Sequence, residues 1–309
     1  MYKTKTVEIY ASEIAEVLNL TLTGGDFIVR GPGSPENPQP HTIIHLEALT
    51  PEIAGSLAEK GHVLVLLRDA PILNFGDISF LVTPRPRLDF VRVLNNFFVE
   101  RDNRQNDPTA RISPDAKIGR NVIVGAHSVI GPDVILGDNT IVLNNVVITG
   151  KVSIGRNCVI KDNATIGSEG YGFEFDEAVE PIHVPYVGKI LIGNDVWIGA
   201  NSTVERAEID DTIIAPSVKI DDLVQIGQSC CIGEHTMIAA GTVVSAHVSI
   251  GKNCWLSPNV SVKDRTAIAD DVLIGIGTVV INDCQTHNVY VGNPARLLRR
   301  RTKNDIQTI

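Results

Sequence analysis

An aliphatic residue recurs at every sixth position over two long stretches of this chain. A helix returns a side chain to one face every three or four residues and a strand every two, so a strict period of six requires a short straight segment followed by a corner. The repeat therefore predicts a hexapeptide solenoid. A second run extends from Ile214 to Val280, and the first contains Ile112, Ile118, Val124, Ile130, Leu136, Val142, Ile148, Ile154, Ile160 and Ile166.

The other positions of the hexad fit this fold. A small or β-branched residue follows four positions after the aliphatic one, as at Val122, Ser128 and Thr140, and such residues fill a narrow interior without overpacking it. Asn often precedes this small residue, as at Asn121 and Asn139. Because Asn tolerates a positive φ, these positions are predicted to form the corners of each coil.

Composition limits the class of protein. The chain has 309 residues, of which 43% are hydrophobic, so it is long enough to form two domains with sizeable cores. Its formal charge of −9 argues against a nucleic-acid partner. No apolar run approaches the roughly 20 residues of a membrane span, and no signal peptide is recognised at the start. We therefore expect a cytoplasmic protein without a membrane span.

The chain divides into three segments by sequence pattern. Residues 1–105 are predicted to form a small α/β domain, in which a helix begins after Thr50 and ends at Gly61. Residues 109–285 form the solenoid, and residues 286–309 are expected to be a C-terminal tail. A polar linker is predicted between the first two segments, over residues 101–108.

The six-residue period is interrupted between Ile166 and Ile192. A loop over residues 167–190 is predicted to leave the solenoid there. A second irregularity lies between Val204 and Ile214, which are ten residues apart where we expect twelve. Loops carried on a rigid scaffold often form binding sites, so both interruptions are candidates.

Three segments together resemble the bacterial UDP-3-O-acylglucosamine N-acyltransferases and related sugar-nucleotide N-acyltransferases. These segments are Gly167 to Phe173, Ile192 to Arg206 and Lys219 to Gly233. The resemblance implies a left-handed parallel β-helix, a homotrimer and an active site between neighbouring subunits. It also implies that the small domain is a candidate for nucleotide binding, and that the substrates are a nucleotide-linked aminosugar and an acyl thioester.

The chain departs from this family at its catalytic histidine. Gln228 occupies the position of that residue, and Arg265 aligns with a second family histidine. Glutamine cannot act as a base near neutral pH. Either another group takes the proton or the activity is lost.

Positions 18 residues apart should stack in adjacent coils, at the strand spacing of about 4.8 Å. Ser229, His247 and Arg265 then form one column beside a second column that contains Gln228 and Ala246. His247 is our candidate for the base, because imidazole takes a proton near pH 7. The alternatives are a corner histidine at the solvent face or subunit contact, and proton uptake by the departing thiolate.

Further roles follow from the resemblance. The family's oxyanion donor corresponds to the backbone N–H of Ala246. The segment Val291 to Arg296 resembles the ending of many hexapeptide acyl-CoA transferases, which favours coenzyme A over acyl carrier protein as donor. The candidates for binding its phosphates are Arg265, Arg296, Arg299 and Arg300, although a solvated tail would explain the terminal arginines equally well.

The acceptor site is predicted around the two interruptions. Tyr171, Phe173 and His183 are candidates to cover a sugar or base, and Glu205 with Arg206 to bind hydroxyls or a diphosphate. Packing of the loop against the solenoid is the competing explanation. The segment from Ile43 to Leu49 has no clear match to the aromatic pair that grips uracil in the lipid-pathway enzymes, so a thymidine-linked sugar is as plausible as a uridine-linked one.

The sequence thus predicts a cytoplasmic N-acyltransferase that moves a short acyl group from acyl-CoA to a nucleotide-linked aminosugar, for a bacterial surface glycan such as O-antigen or lipopolysaccharide. One alternative is a lipid A pathway-like enzyme that depends on acyl carrier protein, and another is an inactive scaffold. No metal is expected. His235 and His247 are twelve residues apart, which does not match the zinc ligands of a γ-class carbonic anhydrase.

Overall fold

The computed structural model describes residues 2–70, 77–101, 105–302 and 305. It separates into two compact units, Met1–Asn103 and Arg104–Ile309. Part of the expected linker, residues 102–104, lies outside the described residues.

The first unit is a small α/β fold built on a five-stranded sheet. The strand order is Leu22–Thr23, Ile78–Val82, Val63–Leu67, Thr42–His45 and Gly31–Pro32, with the first pair antiparallel and the other pairs parallel. Two short antiparallel pairs complete it, Tyr2–Thr4 with Val99–Arg101 and Ile9–Tyr10 with Ile28–Val29.

Helices cover both faces of this sheet. Helix α1 spans Ala11–Leu18, α2 spans Pro51–Lys60 and α3 spans Pro86–Val93, continuing as a π-helix over Leu94–Phe98. One core contains residues from α1, α3 and the sheet, and a second core contains residues from α2 and the opposite sheet face.

The predicted start of helix α2 is confirmed. The Thr50 side chain accepts a hydrogen bond from the backbone N–H of Ile53 at 3.3 Å, and Pro51 occupies the first turn. Gly61 follows the last helical residue with a φ of 65°, a conformation that glycine adopts without steric cost.

The second unit is a left-handed parallel β-helix, so the predicted fold class is confirmed. Short strands stack into three sheets, one on each side of the coil. The first sheet contains Arg111–Ile112, Val129–Ile130, Val147–Ile148, Thr165–Ser168, Thr203–Glu205, Gln225–Ile226, Val243–Val244, Ser261–Val262 and Val279–Val280. The second contains Lys117–Ile118, Val134–Leu136, Val152–Ile154, Lys189–Ile192, Asp211–Ile214, Cys231–Ile232, Ser249–Ile250 and Ala267–Ile268.

The third sheet extends closest to the end of the chain. Its strands are Ile123–Val124, Ile141–Val142, Val159–Ile160, Trp197–Ile198, Lys219–Ile220, Met237–Ile238, Trp255–Leu256, Leu273–Ile274, Asn288–Val291 and Arg296–Arg300. The last two strands pair antiparallel with each other, and Asn288–Val291 is parallel to Leu273–Ile274. The prediction that residues 286–309 form a tail is therefore corrected for these two strands. Val289 is buried, and Tyr290 packs against the solenoid core.

From Val124 onward the aliphatic residue of each hexad points into the solenoid, whereas Ile118 near its start is 37% exposed. These side chains and the small residues four positions later form one continuous buried core. The corners have left-handed backbones, with φ values of 55° at Asn121 and 60° at Asn139. Because Asn tolerates this conformation better than most residues, the sequence pattern and the coil geometry agree.

Most coils contain 18 residues, as the pairing of Val129 with Val147 shows. The loop lengthens one coil, so that Thr165 pairs with Thr203. The second irregularity also lengthens its coil, since Thr203 pairs with Gln225, 22 residues later. The expectation that this second region is two residues short was wrong, because one corner has gained four residues. The loop itself forms a hairpin of Phe173–Phe175 with Pro181–His183.

None of the helices in the described ranges combines the length and the apolar character that a membrane crossing requires.

Adjacent residues of one strand test the inward orientation of the aliphatic column. Leu136 is 1% exposed, whereas Ile135 beside it is 42% exposed. We expect Leu136→Ala to lower the free energy of unfolding by about 2–5 kcal/mol through lost burial and a cavity. The control Ile135→Ala should cost less than about 1 kcal/mol. Urea unfolding measures both, and equal losses would contradict the assigned orientation.

Candidate functional site

The corner between the first and second sheets carries the residues of interest. Ser229, His247 and Arg265 have left-handed φ values of 55°, 57° and 56°. The N–H of His247 donates to the carbonyl oxygen of Gln228 at 2.9 Å, and the N–H of Arg265 donates to that of Ala246 at 3.0 Å. These bonds join successive coils, so the column predicted from the 18-residue spacing is present. We refer to this edge of the solenoid, residues 205–211, 227–229, 245–247 and 263–265, as the Gln228 corner.

Gln228 is held beneath the loop. Gln228 is only 7% exposed. Its backbone N–H donates to Glu205 Oε2 at 3.2 Å, and its side-chain Nε2 donates to Glu208 Oε1 at 3.4 Å. Gln228 therefore connects two carboxylates of the lengthened corner.

Two glycines let the loop lie directly on these groups. A Cβ at Gly170 would stand 2.0 Å from Gln228 Oε1 and 2.9 Å from Glu205 Oε2. A Cβ at Gly172 would stand 2.6 Å from the Tyr186 hydroxyl oxygen. A larger residue at either position would require these side chains or the loop to shift.

Three glutamates converge between the loop and the corner, namely Glu169, Glu205 and Glu208, which we call the acidic cluster. Arg206 donates a hydrogen bond to Glu169, and Nε2 of His183 lies 3.5 Å from the same carboxylate. Glu205 accepts a hydrogen bond from Gln225 Nε2 at 3.1 Å. Burial raises the pKa of Glu205, although the bonds from Gln225 and Gln228 oppose this shift.

Tyr186 and Glu208 are site residues that sequence reasoning missed. Tyr186 is 5% exposed, and its hydroxyl has no hydrogen-bond partner within the described part of the chain. Burial raises the pKa of this phenol, and the negative charges of Glu208, Glu205 and Glu169 raise it further. Both missed residues lie in segments that interrupt the six-residue period, which was the available signal.

The predicted acceptor residues are brought together by the loop. Four rings of the loop are in contact one after another. The ring centroids are 5.1 Å apart for Tyr171 and Phe173, 5.3 Å apart for Phe173 and His183, and 5.8 Å apart for His183 and Tyr186. Tyr171 is 90% exposed, so only the inner members of this series are packed by protein. Arg206 is already bound to Glu169, which limits its capacity to hold a diphosphate.

The corner amides of the solenoid fall into two groups. Some donate to the next coil, and others, such as those of Glu234, Ala240 and Ala246, have no hydrogen-bond partner among the described residues. At Arg120, Ala126 and Lys252 the equivalent N–H donates to the side-chain oxygen of the residue 18 positions later, at 2.8, 3.0 and 2.8 Å. Asp264 stands at that spacing from Ala246, yet the N–H of Ala246 has no hydrogen-bond partner among the described residues. This donor is thus available to a ligand.

The His247 ring makes no hydrogen bond or ion pair with the described residues, and the residue is half-buried. Its place beside Ala246 agrees with the predicted column. No described side chain fixes the imidazole, so its orientation is set by its own corner backbone.

The predicted donor-binding arginines lie in two places. Arg265 lines a polar groove of the Gln228 corner with Lys263, Asn282 and two carboxylates. Arg296, Arg299 and Arg300 are exposed on a strand of the third sheet, away from this corner in the coil. Arg299 is paired with Asp305 at 2.6 Å.

The small unit has a separate polar edge. His45 ends a parallel strand, and its ring lies 4.9 Å from that of Phe90. Burial lowers the pKa of His45, and the nearby charge of Arg87 lowers it further. Ligands of open α/β sheets bind beyond the carboxyl ends of parallel strands, which is where this pair lies.

The described ranges contain no group of three His, Cys, Asp or Glu side chains arranged to hold a metal ion.

The raised pKa of Glu205 predicts a pH dependence of stability. A carboxyl with a raised folded-state pKa binds its proton more tightly when folded, so its contribution to stability is lost as pH rises above the ordinary value of 4.5. We expect Glu205→Gln to melt at a higher temperature than the parent at pH 8, with a smaller difference near pH 4.5. Thermal unfolding at both pH values measures this. A difference that is independent of pH, or a less stable variant at pH 8, would contradict it.

Comparison with known proteins places these features in a family. A family profile described as bacterial transferase hexapeptide (six repeats) matches residues 133–168. A UDP-3-O-acylglucosamine N-acyltransferase of Coxiella burnetii is 36% identical over 248 residues, which cover 74% of this chain and 72% of the relative. The enzyme of the same name from Helicobacter pylori is 36% identical over 65% of this chain and 66% of its own length.

Solved structures show the same fold. The UDP-N-acetylglucosamine acyltransferase of Francisella novicida has a TM-score of 0.60 and 24% identity, over 66% of this chain and 73% of that one. LpxA of Acinetobacter baumannii has a TM-score of 0.59 and 24% identity, over 66% and 81%. The hexapeptide solenoid, its interrupted corner and the similarity in sequence agree, and the chain belongs to the UDP-3-O-acylglucosamine N-acyltransferase family of acyltransferases.

Proposed function

We propose that this protein transfers a short acyl group from acyl-CoA to the amino group of a nucleotide-linked aminosugar, for synthesis of a bacterial surface glycan. The observation that carries the proposal is the unbonded N–H of Ala246 at the Gln228 corner, beside the imidazole of His247. A fixed donor next to a proton acceptor is the arrangement that acyl transfer to an amine needs.

The reaction follows from these two groups. The amine nitrogen attacks the thioester carbon, and the carbonyl oxygen gains negative charge as the C–N bond forms. The N–H of Ala246 donates to that oxyanion, while His247 takes the proton that the nitrogen releases. The C–S bond then breaks, and His247 returns the proton to the departing thiolate. Gln228, being buried and unable to take a proton, contributes structure rather than base catalysis.

Exposed positive charge supports coenzyme A as the donor. Arg265 at the corner is proposed to contact the donor, and Arg296 and Arg300 present guanidinium groups on the third sheet. Guanidinium groups suit phosphate oxygens geometrically. Because Arg299 is already paired with Asp305, we assign it a weaker role in holding the donor.

The acceptor is proposed to lie under the loop, against Phe173, His183 and Glu205, with Tyr171 closing over it and Arg206 supporting the corner. Relatives are named for N-acylation of UDP-3-O-acylglucosamine, which supports a glucosamine-type acceptor.

The edge at His45 and Phe90 is our candidate for recognition of the nucleotide base by the small unit. We further propose a homotrimer, as the family resemblance implies, that works in the cytoplasm, where both co-substrates are made.

A second candidate is supported by the names of the relatives. Relatives are named for N-acylation of UDP-3-O-acylglucosamine, which supports an acceptor of lipid A synthesis. In this candidate the acyl group comes from acyl carrier protein instead of coenzyme A. A third possibility, an inactive scaffold, is motivated by Gln228.

One assay separates these possibilities. Purified protein is incubated with aminosugar nucleotides and either acetyl-CoA or hydroxyacyl carrier protein, and the products are analysed by mass spectrometry. Our proposal predicts an acetylated nucleotide sugar from acetyl-CoA. A product from carrier protein alone would support the lipid A candidate, and no acylated product from any pair would support the scaffold.

His247→Ala is expected to lower turnover at least about tenfold, because a positioned base is worth roughly 10² to 10⁴ in rate. The affinity for the acyl donor should change little. His235→Ala is a matched control, since His235 occupies an equivalent left-handed corner with a φ of 59°. Steady-state kinetics measure both variants. Unchanged turnover in His247→Ala would exclude His247 as the base.

A further inference from the structure

The acidic cluster carries more negative charge than its protein partners neutralise. It contains three carboxylates, and Arg206 is the one guanidinium bonded to it among the described residues. Arg206 is bound to Glu169, where His183 also approaches. Within the described ranges, Glu205 and Glu208 therefore have no cationic partner.

The hydrogen bonds of these two carboxylates come from neutral groups only. Glu205 accepts from Gln225 Nε2 at 3.1 Å and from the Gln228 N–H at 3.2 Å. Glu208 accepts from Gln228 Nε2 at 3.4 Å, which is a long and weak bond. Both glutamates are half-buried, so water screens them only in part. The loop backbone at Gly170 and Gly172 lies against them, so a ligand reaches them when this glycine segment is displaced. Burial raises the pKa of Glu205, consistent with an uncompensated charge.

Tyr186 provides an independent observation at the same place. Its hydroxyl oxygen is buried without a hydrogen-bond partner in the described chain. A Cβ on Gly172 would lie 2.6 Å from this oxygen and 3.0 Å from Glu208 Oε1, so the hydroxyl and the Glu208 carboxylate both lie against Gly172. A buried hydroxyl without a partner costs about 1–3 kcal/mol, and a polar ligand that displaces the glycine segment would relieve this cost.

The chemistry of these groups selects the kind of ligand. Carboxylates only accept hydrogen bonds, so they favour a ligand rich in donors. A phosphate would be repelled by two unpaired carboxylates. A protonated amine offers three N–H donors and one positive charge, which matches Glu205, Glu208 and the carbonyl of the Gln228 side chain.

We infer that Glu205 and Glu208, bridged by Gln228 and backed by Tyr186, bind the protonated amino group of the acceptor sugar. The inference rests on the proposed function in one respect, that this amine is the group to be acylated. The phosphates of the acceptor then lie away from Arg206, which serves to hold Glu169. The positive charge of the amine is then the feature that the site recognises. The enzyme therefore selects aminosugars over their hydroxyl analogues at the binding step.

This position also suits the reaction. Gln228 and Ala246 are neighbours in adjacent coils, and coils are separated by about 4.8 Å. An amine held at Gln228 lies within one coil of the N–H of Ala246 and of His247. The ammonium releases one proton to bulk water before the attack, which leaves a neutral nitrogen next to the thioester carbon. His247, still neutral, then takes the second proton as the C–N bond forms and passes it to the departing thiolate.

The test compares two ligands that differ in one group. Binding of UDP-glucosamine and of UDP-glucose is measured by calorimetry at pH 7 and fixed low salt, for the parent, Glu208→Gln and Glu177→Gln. Glu177 is an exposed acid of the same loop without contacts to the acidic cluster, so it controls for loss of one negative charge. We expect the parent to bind UDP-glucosamine at least about tenfold more tightly, which corresponds to about 1.4 kcal/mol.

Glu208→Gln should reduce this preference to less than about threefold and leave UDP-glucose binding unchanged, whereas Glu177→Gln should retain the preference. Equal affinities of the parent for both ligands, binding of neither, or a preference preserved in Glu208→Gln would overturn the inference. Tyr186→Phe removes only the hydroxyl and is the second variant if Glu208→Gln melts at a much lower temperature. It should weaken UDP-glucosamine binding alone, and unaltered binding would count against the pocket.

Turnover distinguishes this inference from the proposed function. With an acceptor that is acylated, Glu208→Gln should raise the acceptor KM about tenfold while kcat changes less than about threefold. A parent that prefers UDP-glucosamine but acylates no aminosugar would refute the proposed function and leave the amine site supported. A variant that loses kcat with an unchanged KM would refute the amine site while acyl transfer stands.

Discussion

The stacking of coils around one continuous aliphatic column is the constraint on which the second unit depends. Each inward residue packs against the residues above and below it, and the backbone hydrogen bonds between coils keep the corners in register. Interiors packed to this density tolerate little change in volume. The corner residues are therefore positioned by the core, although their own side chains contact little protein.

This rigidity explains how a site can change its chemistry without losing its geometry. Gln228 is the residue that the family resemblance predicts to replace a catalytic histidine, and its backbone carbonyl accepts the hydrogen bond from the N–H of His247 in the next coil. The unbonded N–H of Ala246 depends on the backbone alone and survives such a substitution. The loop and the four additional corner residues add a different element, because they bring carboxylates and a buried phenol against Gln228.

The regular part of the fold could be predicted from sequence because each coil repeats one local pattern. The period of six, the small interior residues and the corner asparagines all specify the same geometry, and the column of Ser229, His247 and Arg265 followed from counting. The irregular part could not be predicted in this way. Contacts such as those of Glu208 and Tyr186 form between segments about 20 residues apart that obey no repeat.

Two errors show the same limit. The ten residues from Val204 to Ile214 were compared with two hexads of twelve, although the structure contains one hexad with four additional residues, because the periodic count alone does not say which hexad is irregular. The last strands were interpreted as a tail, because Asn288–Val291 and Arg296–Arg300 lack the hexad spacing although they complete the third sheet. In both places hydrogen bonding between distant residues decided the structure.

The central claim is that acyl transfer takes place at the Gln228 corner, with Ala246 as oxyanion donor, although the family histidine is replaced. A crystal structure with a non-reactive ketone analogue of acetyl-CoA tests it most directly. The account predicts that the ketone oxygen lies within about 3.2 Å of the backbone nitrogen of Ala246, with the His247 ring facing the site that the amine would occupy. A ketone group bound at another corner, or one that leaves the N–H of Ala246 without contact, would contradict it.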